Sequence, residues 1–93
     1  MESRDAPLEP LGYQKITPLS TPAKALTVPA RCRSVMLKCE TQSVRWRDDG
    51  TDPTSSDGFL LDSGEEFFYT GKVAKLRFLE VTAGAVLHVN YYA

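Results

Sequence analysis

The sequence predicts an all-β protein, a small antiparallel β-sandwich of seven to eight short strands. Three observations point there. Apolar and polar residues alternate over short runs, as in Ser34-Val35-Met36-Leu37-Lys38-Cys39-Glu40, the period of a half-buried strand. Clusters of Gly, Pro, Asp and Ser punctuate the chain at roughly 8–12-residue spacing. No stretch of a dozen residues carries a helical period with caps. A sandwich, either jelly-roll or immunoglobulin-like, accounts for this pattern better than a small barrel.

Residues 1–12 contain Pro7 and Pro10 without any periodicity and read as an extended N-terminal arm, leaving residues 13–93 for the sandwich. Tyr13 to Leu19 begins the folded part as an edge strand, because Pro18 has no N–H for a central ladder. Lys24 to Val28 alternates and sets Leu26 and Val28 together before Pro29 ends the run. Ser34 to Glu40 turns Val35, Leu37 and Cys39 to one face and Met36, Lys38 and Glu40 to the other. After the polar turn Thr41-Gln42-Ser43, Val44 and Trp46 point inward and Arg45 and Arg47 outward. Asp48 to Gly58 is a loop by its Asp-Gly, Asp-Pro and Ser-Ser-Asp-Gly signals. Phe59-Leu60-Leu61 and Glu66-Phe67-Phe68-Tyr69 flank Asp62-Ser63-Gly64-Glu65, which reads as a hairpin turn. Lys75 to Phe78 alternates again, and Thr82-Ala83-Gly84 turns the chain into a last strand, Ala85 to Tyr92.

At 93 residues the chain makes one domain at most, with a thin core. Its apolar runs are far shorter than the roughly 20 residues of a membrane-spanning helix, so no membrane segment is expected. The first ten residues lack the apolar core of a signal peptide, so export by the usual secretory route is not indicated. Cys32 and Cys39 lack the CxxC spacing of zinc or redox sites. On one strand they would fall on opposite faces, roughly 23 Å apart at about 3.3 Å per residue, so buried free thiols are expected.

A net charge of −1 argues against a dedicated nucleic-acid binder. The charge is unevenly placed: five basic residues and one acid from Arg31 to Arg47, then seven acids and no Lys or Arg from Asp48 to Glu66. Such a surface has a positive and a negative end, suited to head-to-tail contacts between copies or to a charged partner. The alternative is two solvated loops and strand faces of opposite sign.

Asp48, Asp49, Asp52 and Gly50 look like calcium ligands, but an EF-hand needs Gly at the sixth position, and Pro53 stands there. Asp, Gly and Pro are also the ordinary turn residues, so no metal is expected. Paired carboxylates have no diagnostic sequence spacing and need a cleft that shifts their pKa values. His88, the single histidine, sits mid-strand without a nucleophile motif such as GxSxG. The chain is therefore expected to be non-enzymatic, without catalytic residues or cofactor. Trp46 between two arginines suggests base stacking, but alternation sends the indole and the guanidinium groups to opposite faces. A core tryptophan with surface arginines is the reading adopted, and Arg45, Arg47, Lys75 and Arg77 form a candidate basic sheet face for a protein contact.

The wording of "VRWRDDGTDPT", "GFLLDSGEEFFYTG" and "LRFLEVTAGAVLHVNYY", with "GYQKIT" before them, resembles a group of small all-β virion proteins of tailed bacteriophages. The resemblance covers about residues 12 to 92. It implies a capsid decoration or cement role, with a head-tail junction, neck or fibre-associated part as the nearest rival. It carries no catalytic motif. The implied partner is the major capsid protein or another virion protein, and the implied location is the virion, assembled in the bacterial cytoplasm. A homo-oligomer is expected, most simply a trimer over local three-fold positions, without nucleic acid or membrane. The candidate interface residues are Leu8, Leu11, Tyr13, Arg45, Arg47, Asp48, Asp49, Asp52, Lys75 and Arg77. A second hypothesis makes the Asp48 to Gly58 loop a recognition site for a host glycan or receptor. Burial of Trp46 separates the two, since ligand binding there requires an exposed indole.

Overall fold

The computed structural model describes residues 7–93, so half of the predicted arm, residues 1–6, lies outside the described part. Eight strands form two antiparallel four-stranded sheets. They are β1 (Pro10–Ile16), β2 (Lys24–Ala25), β3 (Ser34–Glu40), β4 (Val44–Arg47), β5 (Phe59–Leu61), β6 (Glu66–Thr70), β7 (Arg77–Glu80) and β8 (Val86–Tyr92), with a 3-10 turn at Val73–Lys75 before β7.

The pairing follows one rule: β1 lies on β8, β2 on β7, β3 on β6 and β4 on β5, all antiparallel. The chain is thus one long hairpin folded about the Asp48 to Gly58 loop. Rolling it up brings β3 onto β8 and β4 onto β7. The resulting orders, β1-β8-β3-β6 and β2-β7-β4-β5, are those of an eight-stranded jelly roll. This decides between the two sandwiches read from the sequence, because the immunoglobulin order does not pair the strands end against end.

The core lies between the sheets. Val35, Leu37 and Cys39 of β3 meet Leu87, Val89 and Tyr91 of β8 on one inner face, and Val44, Leu61, Leu76 and Phe78 close it from the other side. Strand alternation produces this directly, since only every second residue of a strand faces its partner sheet. Phe78 is fully buried, a burial worth roughly 1.5–3 kcal/mol. Both cysteines are free, Cys39 buried and Cys32 half-buried. The Cys39 thiol donates to the Gln42 carbonyl.

Several local readings are corrected. Asp62–Glu65 is a tight turn, with the Glu65 N–H on the Asp62 carbonyl at 2.9 Å and Gly64 at φ +90°. It does not make a hairpin, however: β5 belongs to one sheet and β6 to the other, so the turn carries the chain across the sandwich. Turn chemistry specifies the reversal and not the sheet each flank joins. The strand predicted from Lys75 begins at Arg77 instead, because Lys75 N–H and Leu76 N–H bond back to Lys72 and Val73 in the 3-10 turn. The strand predicted over Lys24 to Val28 is paired only at Lys24–Ala25. At the other end, β1 starts at Pro10, with Pro10 opposite Tyr92, Gly12 opposite Tyr91 and Leu11 the extra residue where the register shifts between them, so residues 10–12 belong to the strand and not to a loose arm.

Candidate functional site

Two surfaces gather chemistry that the sequence scatters. The first is the outer face of the β1-β8-β3-β6 sheet. Its register sets Tyr13, Asn90, Met36 and Phe68 in one row and Lys15, His88, Lys38 and Glu66 in the next. Tyr13 is 61 % exposed and Phe68 42 %, while Met36 and Tyr92 are half-buried. The Phe68 and Tyr92 rings lie 6.2 Å apart. Across these rows, Tyr13 Oη and His88 Nδ1 are 2.7 Å apart, and His88 Nε2 lies 2.8 Å from Glu40 Oε1. This chain of hydroxyl, imidazole and carboxylate ties β1, β8 and β3 together. The hydrogen bond and charge of His88 hold the Glu40 carboxyl below its ordinary value.

The second surface is the side where β5 and β6 are the edge strands. Trp46, Phe67 and Tyr69 face inward from β4 and β6, and Phe59 is the cross-strand partner of Trp46. The Trp46 ring centroid is 4.7 Å from that of Phe67, 5.1 Å from Phe59 and 6.2 Å from Tyr69. Because these strands have no further neighbour among the described residues, the stack is not closed over: Phe59 is 66 % exposed and Trp46 half-buried. The expectation of a core tryptophan is met only in part: Trp46 is half-buried and packs against the core without belonging to it, and its outermost neighbour is open.

Beside this stack, Arg47, Asp48, Asp49, Asp57, Gly58 and Phe59 line a depression of about 460 Å³. Arg47 donates through Nε and Nη2 to both carboxylate oxygens of Asp49, and its Nη1 is 3.9 Å from Asp57. The two-pronged bond holds the Asp49 carboxyl below the ordinary range. Tyr69 Oη donates to Asp48 at 2.7 Å, which pushes the phenol up to about 12.

The predicted basic face takes a different form. Arg45, Arg47 and Arg77 do share the outer face of the second sheet, with Arg47 opposite Arg77 in register, whereas Lys75 sits on the 3-10 turn. Each arginine is engaged. Arg45 donates to the Gly58 carbonyl at 3.1 Å beneath the loop, and its buried Nε has no partner among the described residues. Arg77 turns back to the Ala74 and Leu76 carbonyls at 2.9 Å. The loop comes so close that a Cβ added to Gly58 would sit 3.1 Å from Pro53 and 3.4 Å from the Arg45 Cβ. Asp52 lies apart from Asp48 and Asp49, in another depression alongside Pro22 and Leu79. Leu8 is 52 % exposed, and Leu11 packs against the core at the β1 edge. Among the described residues no group of three His, Cys, Asp or Glu is placed to hold a metal ion.

Sequence reasoning missed Phe59, Tyr69 and the Tyr13–His88–Glu40 chain, and reached Asp57 only as one carboxylate of the Asp48 to Gly58 loop. Alternation in Phe67-Phe68-Tyr69 already separates one outward ring from two inward ones. The other contacts join residues 10 to 75 positions apart, which no local pattern encodes.

Fold and surfaces together define a small all-β jelly roll with one aromatic sheet face and one aromatic, acid-lined edge. Comparison with protein-family models, with curated proteins and with solved structures finds no match.

Proposed function

We propose that the chain is a non-enzymatic docking protein of a phage particle, binding the capsid surface as a decoration protein through the outer face of the β1-β8-β3-β6 sheet. The observation that carries the docking part is the row Tyr13, Asn90, Met36, Phe68 with Tyr92 beside it, an aromatic patch on an open sheet face. Aromatic and Met side chains with a polar surround are the composition of protein contact surfaces, and the depression on this face between Tyr13, Met36, His88 and Tyr92 is open to solvent, which suits another protein better than an enclosed small molecule. The virion part rests on the resemblance of the three quoted segments. The jelly roll accords with it by analogy only, as an architecture also used in viral coats and in lectins.

The test is to purify particles of the phage that carries this gene and count the chain. Hundreds of copies per particle are expected for decoration; about a dozen would move the proposal to a vertex or neck, and none would end it. In the same system, Phe68→Glu is expected to lower co-sedimentation with empty capsids by at least tenfold, as for an exposed aromatic anchor of a contact. Its melting temperature should stay near that of the wild type, because Phe68 is not a core residue. Undiminished sedimentation of this variant would remove the sheet face from the proposal.

A further inference from the structure

The aromatic edge is distinct from the docking face and carries its own inference. Its aromatic wall ends in a ring, Phe59, that is two-thirds exposed. The depression against that ring holds three carboxylates and one guanidinium. Arg47 is already spent internally, gripped by Asp49 through two hydrogen bonds and approached by Asp57. An excess of two negative charges therefore remains in the depression. Asp48 is fixed in place, since Tyr69 holds its Oδ2, leaving the other carboxylate oxygen for a new donor.

We infer that this depression is a binding site for a cationic side chain, best an arginine, presented by a partner protein. The aliphatic stem and planar guanidinium of arginine lie against Phe59, and its N–H fork reaches the carboxylates of Asp48 and Asp57. Charge selects this occupant. An anionic ligand is repelled by the two unbalanced carboxylates, and a neutral sugar would leave them uncompensated, while a guanidinium satisfies both the acids and the ring face. The Arg47–Asp49 grip orders the rim in advance, so less conformational freedom is lost on binding.

The test uses the full chain, whose only tryptophan lies in the stack. Acetyl-Gly-Arg-Gly-amide is titrated while Trp46 fluorescence and the backbone amide shifts of Asp48, Gly58 and Phe59 are followed. The same peptide with citrulline for arginine is the neutral counterpart, and a neutral oligosaccharide is the third arm. Saturable shifts at these residues are expected with the arginine peptide. Affinity is expected to be roughly tenfold weaker with citrulline, the loss of one charge-assisted hydrogen bond, and weaker again as salt is raised. Asp57→Asn and Asp48→Asn should each reproduce that loss; the asparagine at 48 still accepts the Tyr69 bond, and amide spectra confirm the fold. Equal binding of the arginine and citrulline peptides would overturn the inference. So would tighter binding of the oligosaccharide, or spectra of folded protein that do not move with the arginine peptide. Because Phe68 is untouched here, failure of this site leaves the sheet-face docking to be judged by its own assay.

Discussion

Tyr69 on β6 donates a 2.7 Å hydrogen bond to Asp48, the residue that follows β4, so a single contact joins the two sheets at their aromatic edge. The bond costs the phenol its ordinary acidity: Tyr69 is pushed from 10.0 up to about 12, first by the hydrogen bond to Asp48 and then by burial. A raised folded-state value means that the stabilisation is complete below the ordinary tyrosine range and is lost as pH rises through about 12. Tyr69→Phe is expected to lower stability by about 1 kcal/mol near neutrality. Its loss of stability across the alkaline range should be shallower than the wild type's. Denaturant midpoints measured at several pH values check both statements.

Tyr91 is also pushed up to about 12, chiefly by burial, and its hydroxyl bonds Gln14 Oε1. In a spectrophotometric titration of the native protein, Tyr69 and Tyr91 are expected to form tyrosinate only near 12, and each Phe variant removes one of these late steps.

The cysteines should separate by reactivity. Cys39 is fully buried, and burial raises its thiol from 9.0 to about 11, whereas Cys32 is half-buried. Reactivity follows thiolate fraction and access. A thiol reagent at pH 8 is therefore expected to modify Cys32 first in the native protein and both thiols in denaturant. Cys32→Ser should abolish the fast phase.

Glu40 offers a titration on the docking face. His88 depresses its carboxyl below 4.5 through a hydrogen bond and then through charge. The associated stabilisation is present above the ordinary carboxylate value and falls away as pH drops through the lowered one. Carboxyl-carbon shifts are expected to show a Glu40 midpoint below 4.5 in the wild type, returning towards that value in His88→Ala.

Gly58→Ala tests how the acidic loop is seated. Gly58 holds φ +129°, and an added Cβ would meet Pro53 Cβ at 3.1 Å and the Trp46 carbonyl at 3.2 Å. A cost of about 1–3 kcal/mol is expected from the backbone alone. The same seating means that Arg45→Glu should destabilise the fold, since Arg45 is held to Gly58 beneath the loop. Charge reversal at Arg45 is therefore a poor probe of docking, unlike Phe68→Glu.

Much of the architecture was legible. Ser34 to Glu40 and Val44 to Arg47 were read residue for residue, because alternation over a half-buried strand records which side is wet. The hairpin at Asp62–Glu65 misled, since a tight turn leaves the same local signature whether its flanks pair with each other or part to opposite sheets. The candidate surfaces were legible only in pieces. Arg47, Asp48 and Asp49 were singled out, but Phe59, Asp57 and Tyr69 were not, and their gathering depends on β5 and β6 becoming neighbouring edges of two different sheets.

By itself the sequence determined that this chain is all-β, which residues of β3 and β4 face the core, and that Arg45 and Arg47 oppose Trp46. These follow from a two-residue period and from turn chemistry, both local. Only the tertiary structure decided that the sandwich is a jelly roll, that the loop covers Arg45, and that Trp46 ends in an open aromatic edge beside Asp48 and Asp57. Those depend on pairings between distant strands, fixed by how one folded hairpin buries a single thin core.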